Sequence, residues 1–229
     1  MKKYLIAFYF LVFMGTTCTW AQPYLYFAGN DGAGYGLGYI NLATCEYCIN
    51  FNINASSGVG AIQDVIPMPN GDVVTISQDG NFNVFTPPDP TPISTFSTGL
   101  TPGGGAILSL NGTIYYFTVG FNGGIPESCL YEFDPASNTN TNLGCANDVI
   151  LSDLFFWNGI LYAFGTNGQP NPTEFGLYSI VIEDPLVVTL EETYSSVLCG
   201  GATAAIPGVG IYTSVLDPDC DGAILYNFD

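Results

Sequence analysis

The chain has 229 residues, a formal net charge of −18, no histidine, and two basic side chains, Lys2 and Lys3. Both lysines lie in a segment that reads as an export signal, so the rest of the chain has no cationic side chain and its formal charge moves from −18 to −20. That removes imidazole bases, Schiff-base amines, guanidinium clamps for phosphate or carboxylate, and any basic footprint for nucleic acid.

Residues 1–21 follow the three-part logic of a signal peptide: basic Lys2-Lys3, an apolar run from Tyr4 to Met14, and a small-residue exit at Thr19-Trp20-Ala21. The run is shorter than the roughly 20 residues a spanning helix needs, so cleavage after Ala21 is expected, with no membrane insertion afterwards. A lipid anchor would use Cys18, but Gly15-Thr16-Thr17 is a poor match to the small residues required before it. Residues 22–229 are expected to form one domain, secreted or displayed at the cell surface.

The turn Asn30-Asp31-Gly32 opens a glycine-rich stretch through Gly38. It predicts a flexible loop rather than a phosphate cradle, because no helix or lysine follows. From there a repeat runs through the chain. Asp64 to Val74 holds an apolar strand, the turn Asn70-Gly71 and a second strand, and the pattern returns around Asn111-Gly112, Asn158-Gly159 and, more weakly, at Ala202 to Tyr212. Asn-Gly suits a type I′ turn, whose two positive φ angles join antiparallel strands with the right twist. A third strand follows each unit at Gly38–Leu42, Phe82–Phe85, Leu130–Asp134, Leu177–Ile180 and Leu225–Phe228. After Leu130 the chain turns at Pro135 to Asn138 and returns through Leu143 as a fourth strand, with Asn138 suited to a left-handed φ.

Asn70 to Asn111 is 41 residues and Asn111 to Asn158 is 47. Four strands per unit of about 40 to 50 residues is the signature of a propeller blade. Units are placed at 23–58, 59–100, 101–147, 148–199 and 200–229. The first lacks an obvious inner strand and the last stops after its third, so the expected fold is an all-β propeller of antiparallel blades, either five in a ring or part of a larger one incomplete at its C-terminus. In the phrase Leu130-Tyr131-Glu132-Phe133-Asp134-Pro135 the chain resembles exported bacterial repeat propellers of kelch-like and quinoprotein-like style. The resemblance implies ring architecture and extracellular display, and carries over no active site.

Six cysteines remain after the signal: Cys45, Cys48, Cys129, Cys145, Cys199 and Cys220. An even number in an exported chain predicts disulfides, and the pairing Cys45–Cys48, Cys129–Cys145 and Cys199–Cys220 keeps each bridge within or near one unit. Without histidine, and without two close thiol pairs, a zinc site is the poorer reading.

Asp217-Pro218-Asp219-Cys220-Asp221-Gly222 spaces carboxylates at alternate positions before a glycine, as in the opening of a calcium loop. Phe228 stands where such a loop would need its bidentate acid, so Asp217, Asp219 and Asp221 form at most an incomplete calcium site. The alternative is an acidic surface turn. Asp64 and Asp153 recur at matching repeat positions, which predicts a structural role in bonding nearby backbone. Glu183-Asp184 and Glu191-Glu192 are expected as solvated edge charges rather than a hydrolytic pair. Tyr35, Phe121 and Phe175 lie in expected loops where an aromatic ring stacks on a sugar or is tucked under the loop. Asn54-Ala55-Ser56 and Asn111-Gly112-Thr113 match glycosylation acceptors, although a hairpin turn accounts for Asn111.

The function these features predict is a non-enzymatic binding or scaffold module for a protein or neutral glycan, with calcium as the one cofactor in view. The rival is a carboxylate-dependent glycoside hydrolase or lyase.

Overall fold

The computed structural model describes residues 24–30, 34–41, 46–54, 62–68, 70–77, 79–87, 89–100, 107–110, 112–167, 174–183, 185–194, 203–206, 210–216 and 223–228. Strands β1 (Tyr24–Asn30), β2 (Gly34–Asn41) and β3 (Glu46–Asn54) form the first sheet. The second holds β4 (Ile62–Pro67), β5 (Val73–Ser77), β6 (Asn81–Phe85) and β7 (Ser94–Ser97). The third holds β8 (Ile107–Leu110), β9 (Thr113–Asn122), β10 (Ile125–Asp134) and β11 (Thr139–Asn147). The fourth holds β12 (Val149–Trp157), β13 (Ile160–Asn167), β14 (Glu174–Val181) and β15 (Val187–Tyr194). The fifth holds β16 (Thr203–Ile206), β17 (Gly210–Leu216) and β18 (Ala223–Phe228).

Every sheet is an antiparallel meander, and the first strands of neighbouring sheets meet: β1 contacts β4, β4 contacts β8, β8 contacts β12 and β12 contacts β16, while β12 also touches β9 and β10. The first strands therefore line a common axis and the sheets radiate from it as the blades of a β-propeller. Burial follows the same direction: β5 is buried throughout, whereas the outermost β15 is largely exposed.

Each interior blade is apolar on both sides. Strand β9 shows this within two residues. Tyr116 joins Val74, Ile76 and Phe82 of blade 2, and adjacent Phe117 joins Leu151, Leu161 and Tyr178 of blade 4. Phe82 meets the Tyr116 ring edge-on at 5.3 Å and stacks on Phe133 at 4.9 Å. Polar stitches cross the same seams. The buried Ser128 hydroxyl on β10 donates to Val149 O at 3.0 Å and accepts from Leu151 N–H at 2.9 Å, tying blade 3 to blade 4. The disulfide Cys129–Cys145 joins directly opposed residues of β10 and β11 across 16 residues, as expected from their place flanking one hairpin. A loop of that size contributes about 3 kcal/mol by constraining the unfolded chain.

Three expectations change. The first sheet does have its inner strand, Tyr24–Asn30, and what it lacks among the described residues is a fourth, outer strand. Gly34, Gly36 and Gly38 are not a loop: they lie inside β2, with Gly29 facing Gly36 and Phe27 facing Gly38. The strand expected at Gly38–Leu42 is therefore the end of the second strand and not a third. The Asn-Gly copies also differ. Asn158 (φ 49) and Gly159 (φ 85) form the expected two-residue turn, whereas at Asn70-Gly71 only Gly71 is left-handed (φ 90). There Met68 O accepts from Gly71 N–H at 2.9 Å and Met68 N–H donates to Asp72 O at 2.8 Å, a longer turn closed by a glycine bulge. Asn138 is left-handed as expected (φ 53).

Gly144 shows how closely the blades approach. It sits at φ +133 beside a bulge between β10 and β11, where a Cβ would lie 2.6 Å from Glu183 O and 3.0 Å from Leu186 N in blade 4. Gly144→Ala is expected to cost about 1–3 kcal/mol and lower the melting temperature by several degrees. Gly123→Ala, at φ +60 with open space around it, is the control for backbone conformation alone. Equal melting temperatures for the two variants would remove the argument from blade contact.

Candidate functional site

The most unusual chemistry among the described residues lies at the axis. Asp64 on β4 and Asp153 on β12 belong to the second and fourth blades, on inner strands separated by β8. Asp153 is the extra residue of a bulge, since Ser152 pairs with Phe164 and Leu154 with Ala163, and its φ of 50 turns the backbone out of the ladder. The residue keeps some exposed surface, but its carboxyl is enclosed by protein. Burial, and secondarily the charge of Asp64, holds that carboxyl well above the ordinary aspartate range. Asp64 Oδ1 accepts the N–H of Val65 at 2.7 Å. The local backbone bond fits the structural role read from the repeat, whereas the coupling of the two acids across the axis has no counterpart in that reading. Recurrence at the start of the repeat phrase was the available signal, although the register differs: Asp64 pairs with Ile76 while the bulge leaves Asp153 out of its ladder.

A carboxyl raised in this way favours its neutral form, which can donate a hydrogen bond. Glu183, Glu191 and Glu192 are instead exposed, on the β14–β15 turn and the outer strand of blade 4, so they do not converge on an enclosed site. Asp134, on the β10–β11 turn, takes Ser137 Oγ–H at 2.7 Å and Ala136 N–H at 2.9 Å. Those bonds, Ser137 foremost, hold its carboxyl below the usual range, which marks a turn cap rather than a reactive acid. Glu127 lies within 4.8 Å of the sulfurs of Cys129 and Cys145, but the thiols are consumed in the disulfide, so the three make no metal site.

The expected aromatic platforms divide. Phe121 is exposed at the β9–β10 turn, whereas Phe175 stacks on Phe164 at 5.6 Å and neighbours Tyr194 within blade 4. The bland reading holds for Phe175. Tyr116 packs against blade 2, and burial pushes its phenol up to about 12 against the hydrogen bonds to Asn140 and Thr98. Asp217, Asp219, Asp221, Cys45, Cys199, Cys220, Asp184 and Asn111 lie outside the described residues. Cys48, Tyr35 and Asn54 are placed on β3, β2 and the end of β3 by backbone alone.

A groove of about 410 Å³ runs between blades 3 and 4, with Asp148 on its rim and Tyr178, Leu186, Val188 and Leu190 along its apolar side. Asp148 N–H donates to Pro126 O at 2.8 Å, which fixes this rim to blade 3.

No protein-family model and no curated protein sequence matches the chain. Solved structures do share its shape. An endo-1,4-β-xylanase from Bacteroides thetaiotaomicron is 12% identical with a TM-score of 0.53, over 90% of this chain and 86% of that one. The propeller domain of the trilobed protease from Pyrococcus furiosus gives 11% and 0.46 over 90% and 62%, and the WD40 domain of Toxoplasma gondii coronin 14% and 0.42 over 90% and 65%. At these identities the likeness concerns the fold alone, and the chain is a β-propeller.

The axial pair makes stability depend on pH with a definite sign. Because the folded pKa of Asp153 lies above its unfolded value, the native state binds more protons and loses stability as pH rises through the interval between the two. Asp153→Asn removes that loss while keeping a residue that tolerates positive φ. The variant is expected to match the parent in urea denaturation near the ordinary aspartate pKa and to be the more stable of the two at neutral and higher pH. A constant difference across pH would show that Asp153 is not the group responsible.

Proposed function

We propose that this protein is an exported, non-enzymatic propeller that binds a protein or neutral glycan at its surface. The observation that carries the reading is the large apolar side chains standing in solvent at turns and edges of a chain otherwise rich in neutral polar loops. Val181, Ile182, Val187 and Leu190 are exposed together at the outer edge of blade 4. Clustered exposed apolar groups on a folded surface mark interaction sites. The uncompensated negative charge directs the choice of partner away from nucleic acid and anionic polysaccharide. Export rests on the signal-like residues 1–21 and on the Cys129–Cys145 disulfide, which belongs to an oxidising compartment.

Material recovered after expression with its own leader is expected to begin at Gln22, to contain no free thiol, and to bind members of a neutral glycan or protein array without turnover. Retention of the leader, or free thiols in the native form, would count against export. The 217–222 loop remains our proposed calcium site, and calorimetry should show heat on calcium titration that Asp219→Asn abolishes. Absence of heat at millimolar calcium would remove it.

A second reading is favoured by one observation: burial, and secondarily Asp64, holds the Asp153 carboxyl well above the ordinary aspartate range, the direction a general acid in glycoside hydrolysis requires. On that reading the protein cleaves a neutral polysaccharide such as xylan. Release of reducing sugar, lost in Asp153→Asn, would replace the binding reading with this one.

A further inference from the structure

Blade 4 ends in an unusual edge. Strand β15 is last in its sheet, and among the described residues no strand pairs with its outer side. The edges of blades 2 and 3 differ in character: β7 has four residues, and β11, Thr139–Asn147, contains no charged side chain. In contrast β15 has eight residues, reading VVTLEETY, and combines exposed aliphatics with adjacent acids. Val181 (52%), Ile182 (47%), Val187 (43%) and Leu190 (40%) stand in solvent on this strand and the turn before it. Glu183, Glu191 and Glu192 are exposed among them.

Those acids have partners that orient them without neutralising them. Ser179 Oγ–H donates to Glu191 Oε1 at 2.5 Å, and Tyr194 O–H to Glu192 Oε2 at 3.1 Å. Both donors are neutral, and after the signal lysines the chain has no cation to offer. Register then separates the two sides of the strand. Val188 pairs with Ile180 and Leu190 with Tyr178, so these share the side toward blade 3 and border the inter-blade groove, whereas Glu192 pairs with Leu177 on the opposite side. An added strand would lay alternate aliphatic side chains over the groove against Val188 and Leu190, and turn the intervening cationic side chains to the side of Glu191 and Glu192.

We propose that the outer edge of blade 4 is a strand-addition site for an extended protein segment in which lysine or arginine alternates with aliphatic residues. Backbone hydrogen bonds to β15 supply the register, the exposed valines and leucine supply apolar contact, and the acids select for cations. A second copy of this chain is the wrong occupant, because its own edge brings the same acids and no base. Edge charges of one sign block self-pairing while leaving the edge open to the opposite sign.

The inference rests on the reading of a binding module, and the test separates the two. A labelled octapeptide of alternating lysine and valine is titrated with the mature protein by fluorescence anisotropy at low and raised salt. Two further peptides replace every valine by proline, which removes alternate backbone donors while keeping the charge, or every lysine by glutamate. Only the lysine–valine peptide is expected to bind, with an affinity that falls as salt rises. Glu191→Gln/Glu192→Gln should weaken it about fivefold to tenfold, whereas Asp89→Asn/Glu132→Gln, which removes the same charge from blades 2 and 3, should leave it nearly unchanged. Thermal melts confirm that both double variants fold. Equal binding of the proline peptide, equal weakening by both double variants, or no binding at all would overturn the edge site, while glycan or protein binding elsewhere would still support the module. A protein dimer that excludes the peptide would overturn the choice of occupant.

Discussion

A blade inside a propeller has no solvent-facing side: each face of its sheet is covered by a neighbouring sheet, so consecutive residues of an inner strand must both be apolar. Tyr116 and Phe117 meet that demand on β9, one against blade 2 and the next against blade 4. Fully burying a side chain of this size is worth about 1.5–3 kcal/mol relative to leaving it exposed, and the inner strands repeat the gain blade after blade. The composition follows from it, with 48% hydrophobic residues against 10% charged. Charges are left for turns, outer strands and the axis.

With no basic side chain after Lys3, the carboxylates among the described residues that accept side-chain hydrogen bonds take them from neutral donors. Asp72 accepts from Thr86 Oγ–H at 2.6 Å and Asn70 Nδ2–H at 2.7 Å, and Asp79 accepts from Ser77 and from Asn81. These bonds fix the ends of the β4–β5 and β5–β6 turns, so acidic residues do the work of caps. Hydroxyls and amides share a negative charge without cancelling it. The field therefore extends into solvent wherever acids gather, and among the described residues they gather beside the most exposed aliphatic surface on β15.

The strand-turn-strand phrase was legible because it combines period-two alternation with turn residues of fixed chemistry, and four of the five blades emerge at the positions that phrase marks. Cys129 and Cys145 were legible for the same reason, since flanking one hairpin makes them opposite. The first blade was not. Its inner pair is rich in glycine, which has poor strand propensity, yet Gly29 and Gly36 pair across it. Nor does sequence distinguish Phe121 from Phe175: both are expected in loops and both lie on strands, and only the neighbours Phe164 and Tyr194 decide that the second is covered.

The axial acids were half legible, and the missing half is geometric. Repetition places Asp64 and Asp153 at the start of corresponding phrases, but the strand register does not make them equivalent: Asp64 pairs with Ile76, whereas the bulge leaves Asp153 out of its ladder. Burial raises the Asp153 carboxyl first and the charge of Asp64 adds to it, so both favour its neutral form.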